Sequence, residues 1–458
     1  MIDYKPYYFS AFEPFGYQRQ ALDLLYNYDY KNKFYPEILL SGSVGSAKSV
    51  LLAHFIISHC LRWNRARVGI SRMGLPDLKK TLFQEIVDAI ENDPNFIEGV
   101  HYRIKHNNAE IKFANGSHIM PITFGDRNWG KTKSYLFSLV VIEEGTEFED
   151  DFYEIENSGF DLLRGRINRL AHVKENALII ATNPDEPSHF LYRYFIEGQE
   201  EHDNRFVFYS ETDKNPYLDP NYIKQLRASY SPLMAERYLR GMWISLMGKG
   251  IYNAFSDKNI RKKDYKINKK LPIYVAFDFN IAAGKPLSSI MYQFDGKMFH
   301  FFEESIIYDA YTYEGIDDFY NRGLINTDHY YIIQGDATGR NRDPASKKTN
   351  YMVIQEYLTS RFIKFEMDVP TKNPPIRTRH SVVNSVLRND LNQVRCFFYK
   401  NTKVAIQGMK ETRLKKGANY IEDDSAKSPY QHVTTAIGYG ICATINSTKR
   451  KPQGTVQL

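Results

Sequence analysis

The sequence predicts an α/β fold in two domains, and three observations carry that expectation. At 458 residues the chain exceeds what one hydrophobic core usually supports. Its first half alternates apolar strand-like runs with helix-like ones, the order that builds a mostly parallel sheet covered on both faces. A charged, poorly periodic stretch, "SDKNIRKKDYKINKKLP", then interrupts the pattern before it restarts.

The strand and helix runs come in a definite order. "EILLSG" precedes "KSVLLAHFIISHCLRW", "ARVGIS" precedes "DLKKTLFQEIVDAIEN", and "FSLVVIEE" and "NALIIATNP" complete the first set. "HYRIKHNNAEIKFANGSHIMPITFGD" differs, since its short alternating runs around "NNAE" and "NGS" read as a hairpin insertion at one edge. The domain boundary is expected at residues 248–270, a linker between a first domain at 1–247 and a second at 271–458. The second half opens as a β-meander, "IYVAFDFN" and "SSIMYQFDGKMFHFFEESII", and continues through "HYYIIQGDA" and "RCFFYK" with helical segments between.

Composition excludes several classes. Hydrophobic residues make up 43% and charged residues 25%, which is ordinary for a globular protein and far from disorder. No stretch has the roughly 18 uncharged apolar residues a membrane span needs, and the N-terminus lacks a signal-peptide layout, so an intracellular protein is expected. Cys60, Cys396 and Cys442 show no paired spacing. The net charge of +6 permits a polyanionic partner without demanding one.

The loop "GSVGSAKS" carries the first chemistry. A phosphate cradle needs a strand, glycines that let backbone N–H groups turn inward, and a helix N-terminus facing the anion. Gly42, Ser43, Gly45, Ser46 and Ala47 would form the cradle, Lys48 would reach the β- and γ-phosphates of ATP, and Ser49 would coordinate Mg²⁺. Ala47 stands where the usual pattern has glycine, so it is expected to hold a backbone with negative φ. Glu143 and Glu144 end a strand, the first as a metal-side acid and the second to activate water; Asn183 ends another as a γ-phosphate sensor. Gln18 and Gln20, upstream of the loop, suit a contact to the adenine edge. Each piece has an ordinary structural reading alone, but all four fall in the order an ATPase requires.

The second half places acids at strand ends. Asp278 and Asp336 could hold two Mg²⁺ or Mn²⁺ ions around a scissile phosphate, with Glu303, Glu304, Asp423 and Asp424 as further acids. Basic runs such as "RKKDYKINKK" and "KETRLKKG" would neutralise backbone phosphates or simply face solvent.

On these motifs, with "RMGLPDLKKTLF", "LLRGRI", "ERYLRGMWISLMGKGIYNAF" and "HVTTAIGY", the chain resembles the large subunit of a tailed-bacteriophage terminase over nearly its whole length. The resemblance implies an N-terminal P-loop packaging ATPase and a C-terminal ribonuclease-H-like nuclease domain. It implies ATP with Mg²⁺ in the motor and Mg²⁺ or Mn²⁺ in the nuclease. The partners would be double-stranded DNA, a portal protein and a small terminase subunit, in a homo-oligomeric ring docked on the procapsid in the host cytoplasm, with no membrane. Carried over by position, Lys48, Ser49, Glu144 and Asn183 serve hydrolysis, and Asp278 and Asp336 are nuclease acids. A trans-acting basic finger would come from Arg166, Lys133 or Arg127. Two departures stand out. Glu143 replaces the usual Asp, and Thr435 occupies the place of the third nuclease acid, for which Asp424 or Asp423 is expected to substitute, with His432 nearby. A helicase or repair ATPase with a non-catalytic nucleic-acid-binding second half is the competing reading.

Overall fold

The computed structural model describes residues 12–122, 135–148, 150–154, 158–199, 202–245, 250–279, 284–342, 347–415, 421–423 and 430–450. Of the residues singled out above, Arg127, Lys133 and Asp424 lie outside them. The chain divides into two compact units, Met1–Ile223 with Glu236–Ser245, and Lys224–Ala235 with Leu246–Leu458.

The first unit is built on eight strands: β1 (Glu37–Gly42), β2 (Arg67–Ser71), β3 (Tyr102–Lys105), β4 (Glu110–Phe113), β5 (His118–Ile122), β6 (Leu139–Glu143), β7 (Ala177–Thr182) and β8 (Arg205–Ser210). Their order across the sheet is β3-β4-β5-β2-β6-β7-β1-β8. From β5 to β8 every pairing is parallel, and only β3–β4 and β4–β5 are antiparallel. That antiparallel corner is the insertion read from "NNAE" and "NGS". Strand β1 is buried along its whole length, as a central parallel strand must be. Ile38 and Leu40 face a core shared with Leu51, Leu52 and Phe55 of the helix Lys48–Arg62, while Leu39 faces the opposite core with Leu178 and Ile180. Each such side chain contributes roughly 1.5–3 kcal/mol on burial. The glycine loop is thus held between a strand and a helix that are both fixed by packing.

The second unit carries β9 (Ile260–Arg261), β10 (Ile273–Asp278), β11 (Pro286–Phe294), β12 (Phe299–Tyr308), β13 (Tyr330–Gly335), β14 (Lys364–Met367) and β15 (Cys396–Asn401), in the order β14-β13-β10-β11-β12-β15-β9. The meander β10–β11–β12 is antiparallel, and β10–β13, β13–β14, β12–β15 and β15–β9 are parallel. The helices Ile376–Leu387 and Gln431–Arg450 pack on one face, with Val383, Val386, Val433 and Ile437 in the core. The expected linker at 248–270 is corrected in part. Ile251, Tyr252 and Ala254 are buried in this core and Ile260–Arg261 forms its edge strand, so these apolar residues outweigh the charged composition around them.

Candidate nucleotide site and candidate acid site

The glycine loop is shaped by close approach. A Cβ on Gly42 would lie 1.8 Å from the Ser210 hydroxyl oxygen, and Gly45 has φ +74°. Ala47 departs from the expectation of a negative φ: it sits at φ 61°, ψ 37°, in the left-handed region. The turn from loop to helix needs that conformation whichever residue supplies it, at a cost of roughly 1–2 kcal/mol for an L-residue. Surrounding bonds hold the strain. Gln18 Nε2 donates to Ala47 O at 2.9 Å, and the Tyr17 hydroxyl donates to Ser46 O at 2.8 Å.

Gln18 is therefore committed to the loop, its other end accepting from Phe15 N at 3.2 Å, while Gln20 on the same helix is exposed. Both ends of the Gln18 amide thus support the approach to the loop and the loop itself.

The polar side chains of the site form one network. Lys48 Nζ donates to Gly42 O at 3.0 Å, Ser43 O at 2.9 Å and Asn183 Oδ1 at 3.0 Å. Asn183 Nδ2 in turn reaches the two Glu144 carboxylate oxygens at 3.3 and 3.4 Å. Because β7 lies between β1 and β6, Asn183 bridges the loop lysine to the carboxylate beyond β6. Ser49 Oγ donates to Glu143 Oε1 at 2.8 Å, and Thr81 Oγ1 donates to Glu143 Oε2 at 2.5 Å. This hydroxyl and carboxylate suit a hard cation such as Mg²⁺. Burial pulls the Lys48 ammonium down to about 8, against the opposing charges of Glu144 and Glu143. Burial raises Glu144 above the usual carboxylate range, with Lys48 opposing. Glu144 itself has φ 51°, a second left-handed residue at the same site.

Several neighbours had no chemistry assigned to them from the sequence. Arg72 grips Glu147 through two nitrogens at 2.7 and 3.0 Å and stands 3.7 Å from Glu143. Asn215 Nδ2 donates to Gly45 O at 2.7 Å. The run "RYLRGMW", noted above without a role, braces the loop from below: Val44 N donates to Tyr238 O at 2.8 Å and Trp243 Nε1 donates to Ser41 Oγ at 2.9 Å. Gly241, at φ +69°, leaves a Cβ position only 2.8 Å from Ser210 O. Of the finger candidates, the described one, Arg166, is half-buried and its carbonyl accepts from Phe137 N at 2.9 Å.

In the second unit Phe277 pairs with Gly335 on adjacent parallel strands, so Asp278 and Asp336 stand side by side at their carboxyl ends. Burial pushes Asp278 up; His432 opposes this and the Asp336 charge adds to it. His432 Nδ1 lies 3.1 Å from Asp278 Oδ2. Asp336 accepts from Thr338 N at 2.8 Å, Thr338 Oγ1 at 2.6 Å and Asn373 Nδ2 at 2.6 Å, which fixes its carboxylate. Glu303 and Glu304 do other work. Glu304 caps the helix Lys403–Glu411 by accepting from Val404 N and Ala405 N, and Glu303 pairs with Arg322 and Asn401.

The carboxylate beside Thr435 is Glu422, which the sequence reading passed over for Asp423 and Asp424. Glu422 Oε2 lies 3.5 Å from Thr435 Oγ1, and Gln431 Nε2 bonds both, at 2.6 and 2.9 Å. No pattern in the letters marked it, since the apolar Ile421 is exposed and the acidic Glu422 buried. Asp423 is half-buried with its backbone N–H on Arg413 O. Among the described residues no group of three or more His, Cys, Asp or Glu is arranged to hold a metal. Asp278 and Asp336 together offer two carboxylates of the type that ligate a hard divalent cation.

These features define a class, a protein with a phosphate-loop α/β unit followed by a second α/β unit with acids at adjacent strand ends. Residues 36–240 match the model of the phage terminase large subunit family. That match agrees with the resemblance read from the motifs. The fold agrees across the chain. The large terminase of a thermophilic bacteriophage superposes with a TM-score of 0.59 at 14% identity, covering 94% of this chain and 100% of that one. The same phage protein in complex with ADP gives 0.58 at 13% identity, covering 93% and 98%, and in complex with ATP-gamma-S 0.56 at 14%, with the same coverage. No curated protein matches the chain. Among the described residues no helix is long and apolar enough to cross a membrane.

Proposed function

We propose that this protein is the DNA-packaging motor subunit of a phage, hydrolysing ATP to move double-stranded DNA into a procapsid and cutting concatemeric DNA with its second half. The observation that carries this reading is the Lys48–Asn183–Glu144 bridge, which ties a phosphate-binding lysine to a buried carboxylate through one side chain. The residues of 1–247 would form the ATPase and those of 271–458 the nuclease.

In the motor, the loop amides and the N-terminus of the helix Lys48–Arg62 bind phosphate. Lys48 exchanges its bonds to Gly42 O, Ser43 O and Asn183 Oδ1 for phosphate oxygens. That exchange releases Asn183, which turns with Glu144 toward the γ-phosphate and passes the state of the nucleotide along β7. Glu144, raised by burial, takes the proton of the attacking water. Mg²⁺, held by Ser49 and Glu143, would neutralise charge on the β- and γ-phosphates.

In the second unit Asp278 and Asp336 would hold a divalent cation, which would polarise the scissile phosphate and the attacking water. His432 fixes the orientation of Asp278. Double-stranded DNA, a portal, a small subunit and a ring of like chains are the partners this role requires, in the host cytoplasm. Plasmid DNA incubated with Mn²⁺ and intact protein tests the cutting half. Wild type should linearise it, and Asp278→Asn should reduce cutting at least about a hundredfold. Equal cutting by the two proteins removes the nuclease from the proposal.

A further inference from the structure

The stretch after Asn183 is fixed from a second side. Asn183 follows the last residue of β7, and after it come Pro184, Asp185 and Glu186. Asp185 Oδ1 accepts from Arg237 Nη1 at 2.7 Å, and Glu186 Oε1 accepts from Arg237 Nη2 at 3.1 Å. Arg237 is 3% exposed, lies on the helix Pro232–Tyr238, and donates through Nη2 to Ile244 O as well. A buried guanidinium whose two ends hold two different acids fixes both side chains, which the single ammonium of a lysine could not do. The next residue, Tyr238, supplies the carbonyl that accepts from Val44 N of the glycine loop at 2.8 Å. Loop and sensor are thus joined by two routes. One is the bond from Lys48 Nζ to Asn183 Oδ1 at 3.0 Å, and the other runs through Val44, Tyr238, Arg237 and Asp185.

We infer that Arg237 is a positioning residue for hydrolysis: it anchors Asp185 and Glu186 to the segment that supports the loop, so that Asn183 turns its side chain on a fixed backbone when Lys48 releases it. The difference between the two routes carries the inference. Phosphate would take over the bonds of Lys48, whereas the Arg237 route is made among protein groups with no part in binding phosphate. Pro184 between them is buried, and its ring fixes its own φ and disfavours helical backbone at Asn183, so little slack separates the sensor from the anchored acids. On the strand side Thr146 Oγ1 donates to Asn183 O at 3.2 Å. That is one neutral bond, and the two charge-assisted bonds to Arg237 are the stronger hold.

The inference rests on the ATPase reading, and steady-state ATP hydrolysis together with calorimetric ADP binding, both on the intact protein, separates the two. Arg237→Lys keeps the positive charge, so neither acid is stranded, but loses the fork that spans them. It should lower kcat at least about tenfold while ADP affinity stays within about threefold of wild type, because the backbone bond from Val44 to Tyr238 is untouched. Asp185→Asn leaves Glu186 on Arg237 and decides the matter if the lysine variant does not fold. It should show the same split with a smaller loss, about threefold in kcat. A purely structural role predicts that kcat and ADP affinity fall together with the folded fraction. That result, or kcat equal to wild type in both variants, overturns the inference and leaves the ATPase reading intact. No hydrolysis by wild type overturns both.

Discussion

Ala47 and Glu144 hold left-handed backbone at opposite ends of the Lys48–Asn183 bridge, so the place where phosphate chemistry is proposed carries backbone strain. Ala47→Gly relieves it and should leave steady-state ATP hydrolysis within about twofold of wild type, whereas the β-branched Ala47→Val should lower it at least about tenfold. Loss of activity in the glycine variant would mean that the methyl group, and not the turn, matters. The apolar runs put Asn183 and Glu143 at strand ends, and the fold brings Lys48 to the first and Ser49 to the second. The letters of the loop gave no access to φ at position 47, which is set by how the loop meets the helix. Glu422 was missed for a related reason: two adjacent aspartates drew the eye, while burial chose the residue before them. Burial works against ionisation of Glu422, but the His380 hydrogen bond and the Arg379 charge hold it at about 2, below its ordinary 4.5. Between these values the unfolded chain binds the proton and the native protein does not, so the stability this group contributes above pH 4.5 is lost as pH falls through 2. Urea unfolding of Glu422→Gln across that window should show a shallower acid limb than wild type. Parallel limbs would deny Glu422 its charged partnership.

At the scale of elements, the parallel sheet was legible because β1, β2, β6 and β7 are continuous apolar runs, and the antiparallel corner because its turns announce themselves. The brace from Arg237 to Trp243 was visible only as a motif without chemistry. Its role depends on backbone bonds from Tyr238 and Leu239 to Val44 and Thr212, which no side-chain pattern encodes. Gly241→Ala adds a methyl group 2.8 Å from a carbonyl at positive φ. It should lower stability by about 1–2 kcal/mol or more and weaken ADP binding, measured by calorimetry on the same sample. Unchanged ADP affinity would separate the brace from the loop. Likewise Glu37, at the start of β1, is buried against Arg164 at 2.7 Å and the Tyr194 hydroxyl at 2.6 Å. Glu37→Ala should cost about 3–5 kcal/mol in denaturant unfolding by stranding the arginine pair of Arg164 and Arg205; a loss under about 1 kcal/mol would show that water reaches the pair.

Across the whole molecule, two α/β units with distinct polar sites follow from one chain whose hydrophobic pattern is interrupted by a charged stretch. The charge run misled on where the second unit begins, because apolar residues just before it, Ile251 and Tyr252 among them, already belong to the core. The central claim is that the first unit couples DNA to ATP hydrolysis through Lys48. Hydrolysis by the intact protein, measured with and without double-stranded DNA for wild type and Lys48→Ala, tests it directly. The account predicts hydrolysis stimulated several-fold by DNA and lowered at least about a hundredfold in the variant. Hydrolysis indifferent to DNA, or equal in the two proteins, would contradict it.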